Sequence, residues 1–490
     1  MPSCSSRNSL KSSLKSVDVA SLETTNPYVS LVQNQEIVEV PELELESGVT
    51  IHNFPIAYKT WGQINERGDN VLVVCHALTG SSDVADWWGP LLGPDLAFDT
   101  SRFLVVCLNS MGSPYGSFSP LNVDPDSGEV YGPEFPLCTV RDDVRAHKIV
   151  LDSLGVTSVA CVIGGSMGGM LALEWAATFG REYVKNMVAL ATSARHSAWC
   201  ISWSEAQRQS IYSDPNYLDG YYPKGHQPVV GLSAARMSAL LTYRSRNSFE
   251  KKFSRRSPSL IHQQKSNKAL NKTKPSSLHE HNLAIHNDGH SRSNSSNRER
   301  RNSESSDTSS AESLKSVSSA TSTSSISSKQ GKTIKSAQTY FSAQSYLRYQ
   351  GKKFIQRFDA NCYISITRKL DTHDLARDRT EYEEELDAVL ESIQQPSLII
   401  GIKSDGLFTY SEQEYLAAHM PKSELKKIDS PEGHDAFLLE FKLINEYIID
   451  FLKKNVSEIT SSPPCLWRDD ENREVMKASL FGEAEEVTNW

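Results

Sequence analysis

The sequence lacks any long hydrophobic run. No stretch approaches the roughly 18 consecutive apolar residues of a transmembrane helix, so no membrane-spanning segment is expected. Residues 1–25 also lack the apolar core of a secretory signal peptide. They are rich in serine, with Arg7, Lys11 and Lys15 and no acidic residue before Asp18. This composition faintly resembles a mitochondrial transit peptide, but a disordered tail is the preferred interpretation, and a cytoplasmic location is predicted.

Paired cysteines are missing as well. The 8 cysteines are scattered without a CxxC pair or a Cys/His cluster, so no metal site is expected. Cys75, Cys107 and Cys161 lie inside apolar runs and are interpreted as small core residues. The pattern favours a reducing compartment, in agreement with the cytoplasm.

An excess of positive charge is also absent. Lys and Arg number 51 against 60 Asp and Glu, which gives a formal net charge of −9. This balance argues against nucleic acid or an anionic membrane as the main partner. The length of 490 residues favours roughly two to three domains. Hydrophobic residues make up 38% and charged residues 23%, as in a globular protein with a disordered portion.

Residues 254–336 have almost no aromatic side chains. Ser, Asn, Lys and Arg dominate them, and the part between Arg301 and Lys329 is a serine-rich low-complexity tract. Such a composition buries too little apolar surface to offset the entropy lost on ordering, so it predicts a disordered insertion. Five histidines fall in this insertion at irregular spacing, which does not indicate a metal site: His262, His279, His281, His286 and His290.

The remaining residues alternate short apolar runs with helical patterns. This alternation predicts an α/β fold, namely a mostly parallel sheet with helices on both faces. The predicted strands are 71–76, 103–108, 159–163, 186–190 and 397–402. A helix is predicted over 140–154, with a capping box formed by Thr139 and Asp142 and a stop at Gly155.

The composition also predicts how the chain is divided. Segments 199–243 and 341–375 flank the insertion, are rich in aromatic residues and are predicted to form one helical cap over the sheet. The predicted boundaries are a tail at 1–26, core at 27–195, cap at 196–253, insertion at 254–336, cap at 337–385, core at 386–457 and a tail at 458–490.

The clearest motif is a G-x-S-x-G pentapeptide. An apolar strand runs into GGSMG at 164–168, and a helix follows. This strand–turn–helix context is typical of a nucleophile elbow, in which glycines permit a tight turn around a strained serine. The helix N-terminus would face developing negative charge. The motif therefore predicts Ser166 as a nucleophile and the backbone N–H of Met167 as an oxyanion donor.

The other triad members are expected downstream, in the order Ser, acid, His. Asp405 follows a predicted strand and His434 lies in a late loop. His434 is the predicted general base, and Asp405 is predicted to orient it. Asp429 and Glu432 are rival acids, but they lie too near His434 in the chain to reach its far nitrogen easily.

The roles of Asp435 and His76 stay open at this point. Asp435 is another rival acid beside His434. His76 is the one serious rival base among the ordered histidines, because it follows the first apolar strand. Folds with a nucleophile elbow of this kind build the oxyanion hole at that position, and a structural role for His76 is preferred.

Several blocks of the ordered sequence closely resemble the homoserine O-acetyltransferases, and in particular their fungal form with a long low-complexity insertion. The resemblance covers nearly all ordered positions from about residue 27 to residue 455. Its blocks are HALTG at 76–80, NSMGSPYGS at 109–117, GGSMGG at 164–169, ATSAR at 191–195, SDPN at 213–216, ARM at 235–237, a short block at 242–244, SYLRYQG at 345–351, FDAN at 358–361 and GHDAFL at 433–438.

The resemblance implies an α/β-hydrolase fold with a helical cap, and it implies roles for seven residues. Ser166, Asp405 and His434 match the family triad, and Leu78 and Met167 match the backbone oxyanion donors. Two residues match the acceptor site: Arg236 for the homoserine carboxylate and Asp435 for its ammonium group. A structural role for Arg236, as an ion pair in the cap, stays open, and Asp435 can also cap the following helix.

The implied activity is acetyl transfer from acetyl-CoA to L-homoserine, a step of methionine biosynthesis, with no cofactor besides this co-substrate. The family also suggests a homodimer formed through the cap. A carboxylic-ester hydrolase is a competing hypothesis, since hydrolases share the triad. The triad is equally compatible with a different acceptor, such as L-serine or deacetylcephalosporin C. The polar insertion is compatible with a non-catalytic scaffold that binds partners through it.

Overall fold

The computed structural model describes residues 12–257, 278–290, 341–379 and 385–465. The chain divides into two compact units. Among the described residues, one contains those up to 248 together with those from 351 to 465, and the other contains those between 249 and 350. The first unit carries the whole sheet and every site residue predicted above.

The described residues form a nine-stranded sheet in the order β1-β2-β3-β5-β4-β6-β7-β8-β9. Strand β2 pairs antiparallel with β1 and with β3, and β3 pairs antiparallel with β5. In the remaining order β5-β4-β6-β7-β8-β9, each strand is parallel to its neighbours. The strands are β1 Lys15–Ser16, β2 Glu36–Glu44, β3 Thr50–Trp61, β4 Val71–Cys75, β5 Leu104–Leu108, β6 Val159–Gly165, β7 Met187–Leu190, β8 Ser397–Ile402 and β9 Ser423–Ile428.

All five predicted strands are confirmed, as β4 to β8, with ends that differ by at most two residues. Every residue of these five strands is buried, as expected for parallel strands covered on both faces. Strands β1, β2, β3 and β9 were not predicted from the sequence. Strand β9 is mostly half-buried and carries Glu and Lys side chains, so it lacks the continuous apolar run that identified the others.

The helices of the described residues connect and cover these strands. They are α1 Val19–Glu23, α2 Val84–Trp88, α3 Val140–Ser153, α4 Met167–Tyr183, α5 Ala198–Tyr212, α6 Val229–Tyr243, α7 Arg246–Lys252, α8 Leu278–His286, α9 Ser342–Phe354, α10 Ala360–Asp371, α11 Leu386–Ser392, α12 Tyr410–His419, α13 Ala436–Leu439, α14 Phe441–Asn455 and α15 Ser457–Thr460. The capping box of α3 is confirmed. The Thr139 hydroxyl accepts from Asp142 N at 3.1 Å, and Thr139 N donates to the Asp142 carboxylate at 2.9 Å.

Successive residues of β4 show that helices pack on both faces of the sheet. Val71 and Val73 belong to a core cluster that includes Val144 of α3. Leu72 and Val74 belong to a second cluster that includes Ile448 of α14. Because side chains alternate between the faces of a strand, the two clusters lie on opposite sides of the sheet. The predicted α/β architecture is therefore confirmed.

The second unit has a small aromatic cluster of its own. The ring centroid of Phe253 lies 5.2 Å from that of Phe249 and 5.0 Å from that of Tyr346. Arg348 forms an ion pair with Asp288 at 2.9 Å. Most of the expected disordered insertion lies outside the described residues. Its described part contains helix α8, which its polar composition did not predict.

Within the described residues, no helix is long and apolar enough to cross a bilayer. No group of at least three His, Cys, Asp or Glu side chains there is placed to hold a metal ion. Six cysteines are free and buried, including the three assigned to the core, whereas Cys465 is disulfide-bonded. That bond differs from the reduced state expected from the scattered cysteines.

Candidate active site

Ser166 stands at a sharp turn between β6 and α4. Its backbone has φ 59° and ψ −125°, a conformation that L residues rarely adopt. A Cβ atom on Gly164 would lie 2.0 Å from the carbonyl oxygen of Gly168, and one on Gly168 would lie 2.1 Å from that of Cys75. Glycine is therefore required on both sides of the serine, as the elbow motif predicts.

Neighbouring strands hold the strained residue in place. Ser166 N donates to the carbonyl oxygen of Leu190 at 3.0 Å, at the end of β7. The Thr192 hydroxyl donates to the carbonyl oxygen of Ser166 at 2.8 Å. A conformation of this kind costs about 1–3 kcal/mol and persists only when its surroundings hold it. These two hydrogen bonds provide part of that restraint.

The structure brings Ser166, His434 and Asp405 into one hydrogen-bonded row. His434 Nε2 lies 2.9 Å from Ser166 Oγ, and His434 Nδ1 lies 2.7 Å from Asp405 Oδ2. All three residues are buried, and Ser166 is 8% exposed. A histidine bonded to a hydroxyl through one nitrogen and to a carboxylate through the other can remove the hydroxyl proton and carry the resulting charge.

Backbone groups orient Asp405 just after β8. Its Oδ1 accepts from Leu407 N at 2.8 Å and from Phe408 N at 3.0 Å, which leaves Oδ2 for His434. The rival acids lie elsewhere. Asp429 is exposed and faces Lys403 at 3.4 Å, and Glu432 pairs with Arg244 at 2.6 Å. Neither of them contacts His434 in the manner of Asp405.

The surroundings of His434 act on its pKa in opposite directions. Burial lowers the pKa, but the negative charge of Asp405 and its hydrogen bond raise it, and the result lies above the ordinary value. The rings of Phe408 and Phe437 lie 5.4 and 5.2 Å from the imidazole centroid, and that of Tyr243 lies 6.0 Å away. These apolar contacts hold the ring and limit its access to water.

His76 has structural partners at both ring nitrogens. Its Nε2 accepts from Ser110 N at 2.9 Å, so Nδ1 carries the proton and donates to the carbonyl oxygen of Ala77 at 2.8 Å. The side chain is fully buried, and burial lowers the pKa of His76 to about 4. This neutral histidine stabilises the loop after β4 and does not contact Ser166, in line with the preferred structural interpretation.

The two residues matched to oxyanion donors lie on adjacent segments. Met167 is the first residue of α4, where backbone N–H groups lack partners within the helix. Leu78 lies in the loop that follows β4. A Cβ atom on Gly168 would lie 2.1 Å from Cys75 O and 3.1 Å from His76 O, so the start of α4 is packed against the start of that loop.

Arg236 and Asp435, the two residues matched to the acceptor site, lie near His434. The buried guanidinium of Arg236 on α6 lies 4.8 Å from the ring of Phe354 and 5.6 Å from that of Tyr243, which itself packs against His434. Burial raises the pKa of Asp435, whereas the charges of Arg244, His434 and Arg236 counteract that rise. Arg236 is thus close enough to Asp435 for their charges to interact.

Arg244 is a residue of the site for which the sequence predicted no role. Arg244 Nε lies 2.6 Å from Asp435 Oδ2, and its Nη1 lies 2.6 Å from Glu432 Oε2. Gly433 has φ +72°, and a Cβ atom there would lie 2.4 Å from Ser245 N. The chain after α6 is thus packed closely on the His434 loop, and Arg244 binds the acid on each side of it. The one sign that Arg244 has a role is its burial, and burial is known only from the three-dimensional structure.

Together, the sheet, the strained serine and the histidine–aspartate row define the class, an enzyme of the α/β hydrolase fold with a serine at the nucleophile elbow. A family model described as alpha/beta hydrolase fold matches residues 70–441. A homoserine O-acetyltransferase of Saccharomyces cerevisiae is 73% identical over 488 residues, which cover 99% of this chain and 100% of the relative. The chain belongs to the homoserine O-acetyltransferase family.

More distant relatives agree. A homoserine O-acetyltransferase of Schizosaccharomyces pombe is 50% identical over 474 residues, with 95% of this chain and 96% of the relative covered. Among solved structures, a homoserine O-acetyltransferase from Bacillus anthracis superposes with a TM-score of 0.65 at 21% identity, covering 86% of this chain and 98% of that one. Esterase E22 superposes with a TM-score of 0.64 at 22% identity, covering 86% and 99%. The structural matches establish the fold.

Proposed function

We propose that this enzyme transfers the acetyl group of acetyl-CoA to the hydroxyl of L-homoserine through an acetyl-Ser166 intermediate. The observation that carries the proposal is the 2.9 Å contact between His434 Nε2 and Ser166 Oγ, with Asp405 on the far nitrogen. The names of the relatives, at 73% and 50% identity over nearly the whole chain, support acetyl as the transferred group and homoserine as the acceptor.

The first half-reaction acylates the serine. Ser166 Oγ attacks the thioester carbonyl while His434 Nε2 takes the hydroxyl proton. A tetrahedral oxyanion forms, and the backbone N–H groups of Leu78 and Met167 are proposed to stabilise it. The C–S bond then breaks, His434 returns the proton to the departing sulfur, and CoA leaves as the thiol. One oxyanion donor of this kind contributes about 3–4 kcal/mol to transition-state stabilisation.

The second half-reaction reverses these roles. The homoserine hydroxyl attacks the acetyl-Ser166 carbonyl while His434 removes its proton, and the same N–H groups receive the oxyanion. The bond to Ser166 Oγ breaks, the proton returns to that oxygen, and O-acetylhomoserine leaves. Since His434 acts first as the base and then as the acid in each half-reaction, no further acid or base is required.

The acceptor is proposed to bind between Arg236 and Asp435. A zwitterionic amino acid requires one cation and one anion, and an arginine presents a bidentate fork to a carboxylate. The proximity of both groups to His434 supports this proposal. Arg244 already pairs with Asp435, so the ammonium group would join an existing ion pair and would not meet an isolated carboxylate.

We also propose that the enzyme works in the cytoplasm as a homodimer and needs no bound cofactor. Exposed apolar side chains on two helices of the predicted cap support the dimer: Trp199 is 57% exposed, Leu241 50% and Val230 42%. Exposed apolar side chains become buried when two protein surfaces associate. Light scattering of the purified protein tests the dimer, and a monomer at micromolar concentration would contradict it.

The test of the activity is a steady-state assay with two donors and three acceptors. Acetyl-CoA and succinyl-CoA are each offered with homoserine, serine or water alone. We expect the highest kcat/KM for acetyl-CoA with homoserine, together with an acetyl group on Ser166 when acetyl-CoA is given without acceptor. Rapid CoA release that is independent of any amino acid would favour a carboxylic-ester hydrolase instead.

A further inference from the structure

The loop after β4 forms a tight turn whose geometry is set by its carbonyl groups. Gly80 N donates to the carbonyl oxygen of Ala77 at 2.9 Å, which closes a turn with Leu78 and Thr79 at its centre. The same Ala77 oxygen also accepts from His76 Nδ1 at 2.8 Å. We call residues 77–80 the oxyanion turn, because it carries the proposed donor Leu78.

Arg357, which lies between α9 and α10, reaches this turn from the other side. Its Nη1 donates to the carbonyl oxygen of Thr79 at 3.0 Å and to the Tyr115 hydroxyl at 3.0 Å. The Tyr115 hydroxyl in turn donates to the carbonyl oxygen of Arg357 at 2.8 Å, so the two residues anchor each other. The guanidinium also lies 5.0 Å from the ring of Phe354. A buried arginine held at several points is a rigid donor.

Peptide planarity connects Arg357 to the N–H of Leu78. The Thr79 carbonyl and the Gly80 N–H belong to one planar peptide unit, so binding the first orients the second. The Gly80 N–H binds the Ala77 carbonyl, and that carbonyl shares its peptide plane with the Leu78 N–H. Rotation of the peptide plane that contains the Leu78 N–H would break the hydrogen bonds that Gly80 N and His76 Nδ1 donate to the Ala77 oxygen. It would also strain the hydrogen bond from Arg357 to the Thr79 oxygen.

We propose that Arg357 is a positioning residue for the oxyanion turn, which it holds through the Thr79 carbonyl so that the Leu78 N–H points at the reacting carbonyl. The inference rests on the proposed acyl-enzyme mechanism. Arg357 touches neither the donor nor the acceptor in this role. Both half-reactions form an oxyanion at the same place, so a displaced turn slows both of them by a similar factor, whereas the affinity for homoserine does not change.

The test is Arg357→Lys in the full-length protein, with acetyl-CoA as the probe and rapid measurement of CoA release. Lysine keeps the charge but loses the fork that binds Thr79 and Tyr115 together. Complete loss of one oxyanion donor costs about 10²–10³ in rate, so a displaced donor should slow acylation roughly 10- to 100-fold. Transfer to homoserine should slow equally, with KM for homoserine within about twofold of wild type.

The amplitude of the burst separates positioning from folding. The amplitude counts folded active sites, and the rate reports the chemistry in each. Arg208→Lys is the matched control, since Arg208 is also a buried arginine of the predicted cap, but it pairs with Asp371 at 2.7 Å and Glu205 at 2.9 Å. Arg208→Lys should lower the burst amplitude at most and should leave the burst rate unchanged. If Arg357→Lys does not fold, Tyr115→Phe removes one anchor of Arg357 and should slow acylation about three- to tenfold at full amplitude.

Each result decides the matter. Full amplitude with a slow burst supports the proposal. A burst of Arg357→Lys with full amplitude and the wild-type rate overturns it. A burst with reduced amplitude but the wild-type rate, in both Arg357→Lys and Tyr115→Phe, also overturns it. A raised KM for homoserine with a normal burst would place Arg357 in the acceptor site and also overturn it. Absence of a burst and of acetyl-Ser166 in the wild-type enzyme would instead refute the proposed function.

Discussion

Ser166, His434 and Asp405 come from three separate segments of the chain, yet each is placed by its own local structure. The serine is placed by a glycine-lined turn, the aspartate by two backbone N–H groups after β8, and the histidine by packing against aromatic rings. Because each is restrained independently, a single side chain can be exchanged without moving the others. The proposed mechanism can therefore be tested one residue at a time.

Ser166→Ala should abolish acetyl transfer. The variant lacks the oxygen that forms the acyl bond, so we expect kcat to fall by at least about 10⁴-fold. Mass spectrometry should show no added acetyl group after exposure to acetyl-CoA. Ser202→Ala is a suitable control, because the exposed Ser202 hydroxyl donates within α5 to the carbonyl oxygen of Ala198. A kcat of Ser166→Ala near that of wild type would rule out covalent catalysis.

The raised pKa of His434 predicts the pH dependence of the reaction. The base must be neutral to accept the serine proton, so activity falls as the pH drops through the pKa of His434. That pKa lies above the ordinary value of about 6.5, so the acid limb of kcat/KM should also lie above it. Asp405→Asn removes the negative charge and should move the limb to lower pH while kcat falls sharply. Asp429→Asn, at the exposed rival acid, should leave the limb in place, and a shift in that variant would reassign the triad acid.

Arg236→Ala tests the acceptor site. Loss of a hydrogen bond to a charged group costs about 1.5–3 kcal/mol, which is roughly ten- to a hundredfold in kcat/KM for homoserine. Arg236→Lys should recover only part of this, since a point charge does not reproduce the planar fork. The burst of CoA release should be nearly normal in both variants. Arg145→Ala, at a half-exposed ion pair of α3, is the control. A burst slowed as much as the transfer would show that Arg236 is structural or binds CoA.

At the scale of elements, local signals were enough for the parts of the fold that are covered on both sides. Strands β4 to β8 are continuous apolar runs, and α3 begins with a capping box that is readable from Thr139 and Asp142. The four missed strands are β1, β2, β3 and β9. Their own composition does not identify them, and they are strands because they pair with neighbouring strands of the sheet. Helix α8 was missed because its flanking sequence is polar.

The capping box of α3 gives a prediction at this scale. Thr139→Ala removes the hydroxyl that accepts from Asp142 N, and an N-cap loss of this kind costs about 1 kcal/mol of helix stability. Differential scanning calorimetry should show a melting temperature lower by ~2 °C. The activity of the folded enzyme should be unchanged. Ser197→Ala, at the N-cap of α5, provides a comparison with a single capping bond of 3.2 Å. An unchanged melting temperature in Thr139→Ala would mean that the box does not contribute.

At the scale of the whole molecule, the sheet and every proposed catalytic group lie in one compact unit. The residues between 248 and 351 in the chain, including the polar tract, contribute none of them. Replacing residues 260–330 by a short Gly/Ser linker should therefore leave kcat/KM within about threefold, because the tract has no core-forming pattern. The measurements are a steady-state assay and a melting curve. Loss of activity at unchanged stability would assign the tract a direct part in the reaction.

The sequence by itself determined the α/β architecture and the strand–turn–helix around Ser166, and it predicted the order of the serine's proposed partners. These follow from short-range physics: apolar runs whose short length favours buried strands over helices, glycines that permit a strained turn, and a helical pattern that begins after it. Asp405 was separable from Asp429 and Glu432 by position alone, because a carboxylate must reach the far nitrogen of the histidine.

Only the tertiary structure decided which side chains support the site. Arg357 binds the carbonyl of Thr79 across 278 residues of sequence, and Arg244 binds the acids on either side of His434. Neither contact is marked by a local sequence pattern, because each depends on where the chain segments that follow α6 and α9 lie in the folded protein. Likewise the sequence left His76 as a rival base with a structural role preferred, and the structure supports the structural role by giving both ring nitrogens partners. Long-range contacts between single side chains leave no periodic signal, and for that reason they appear only in the folded protein.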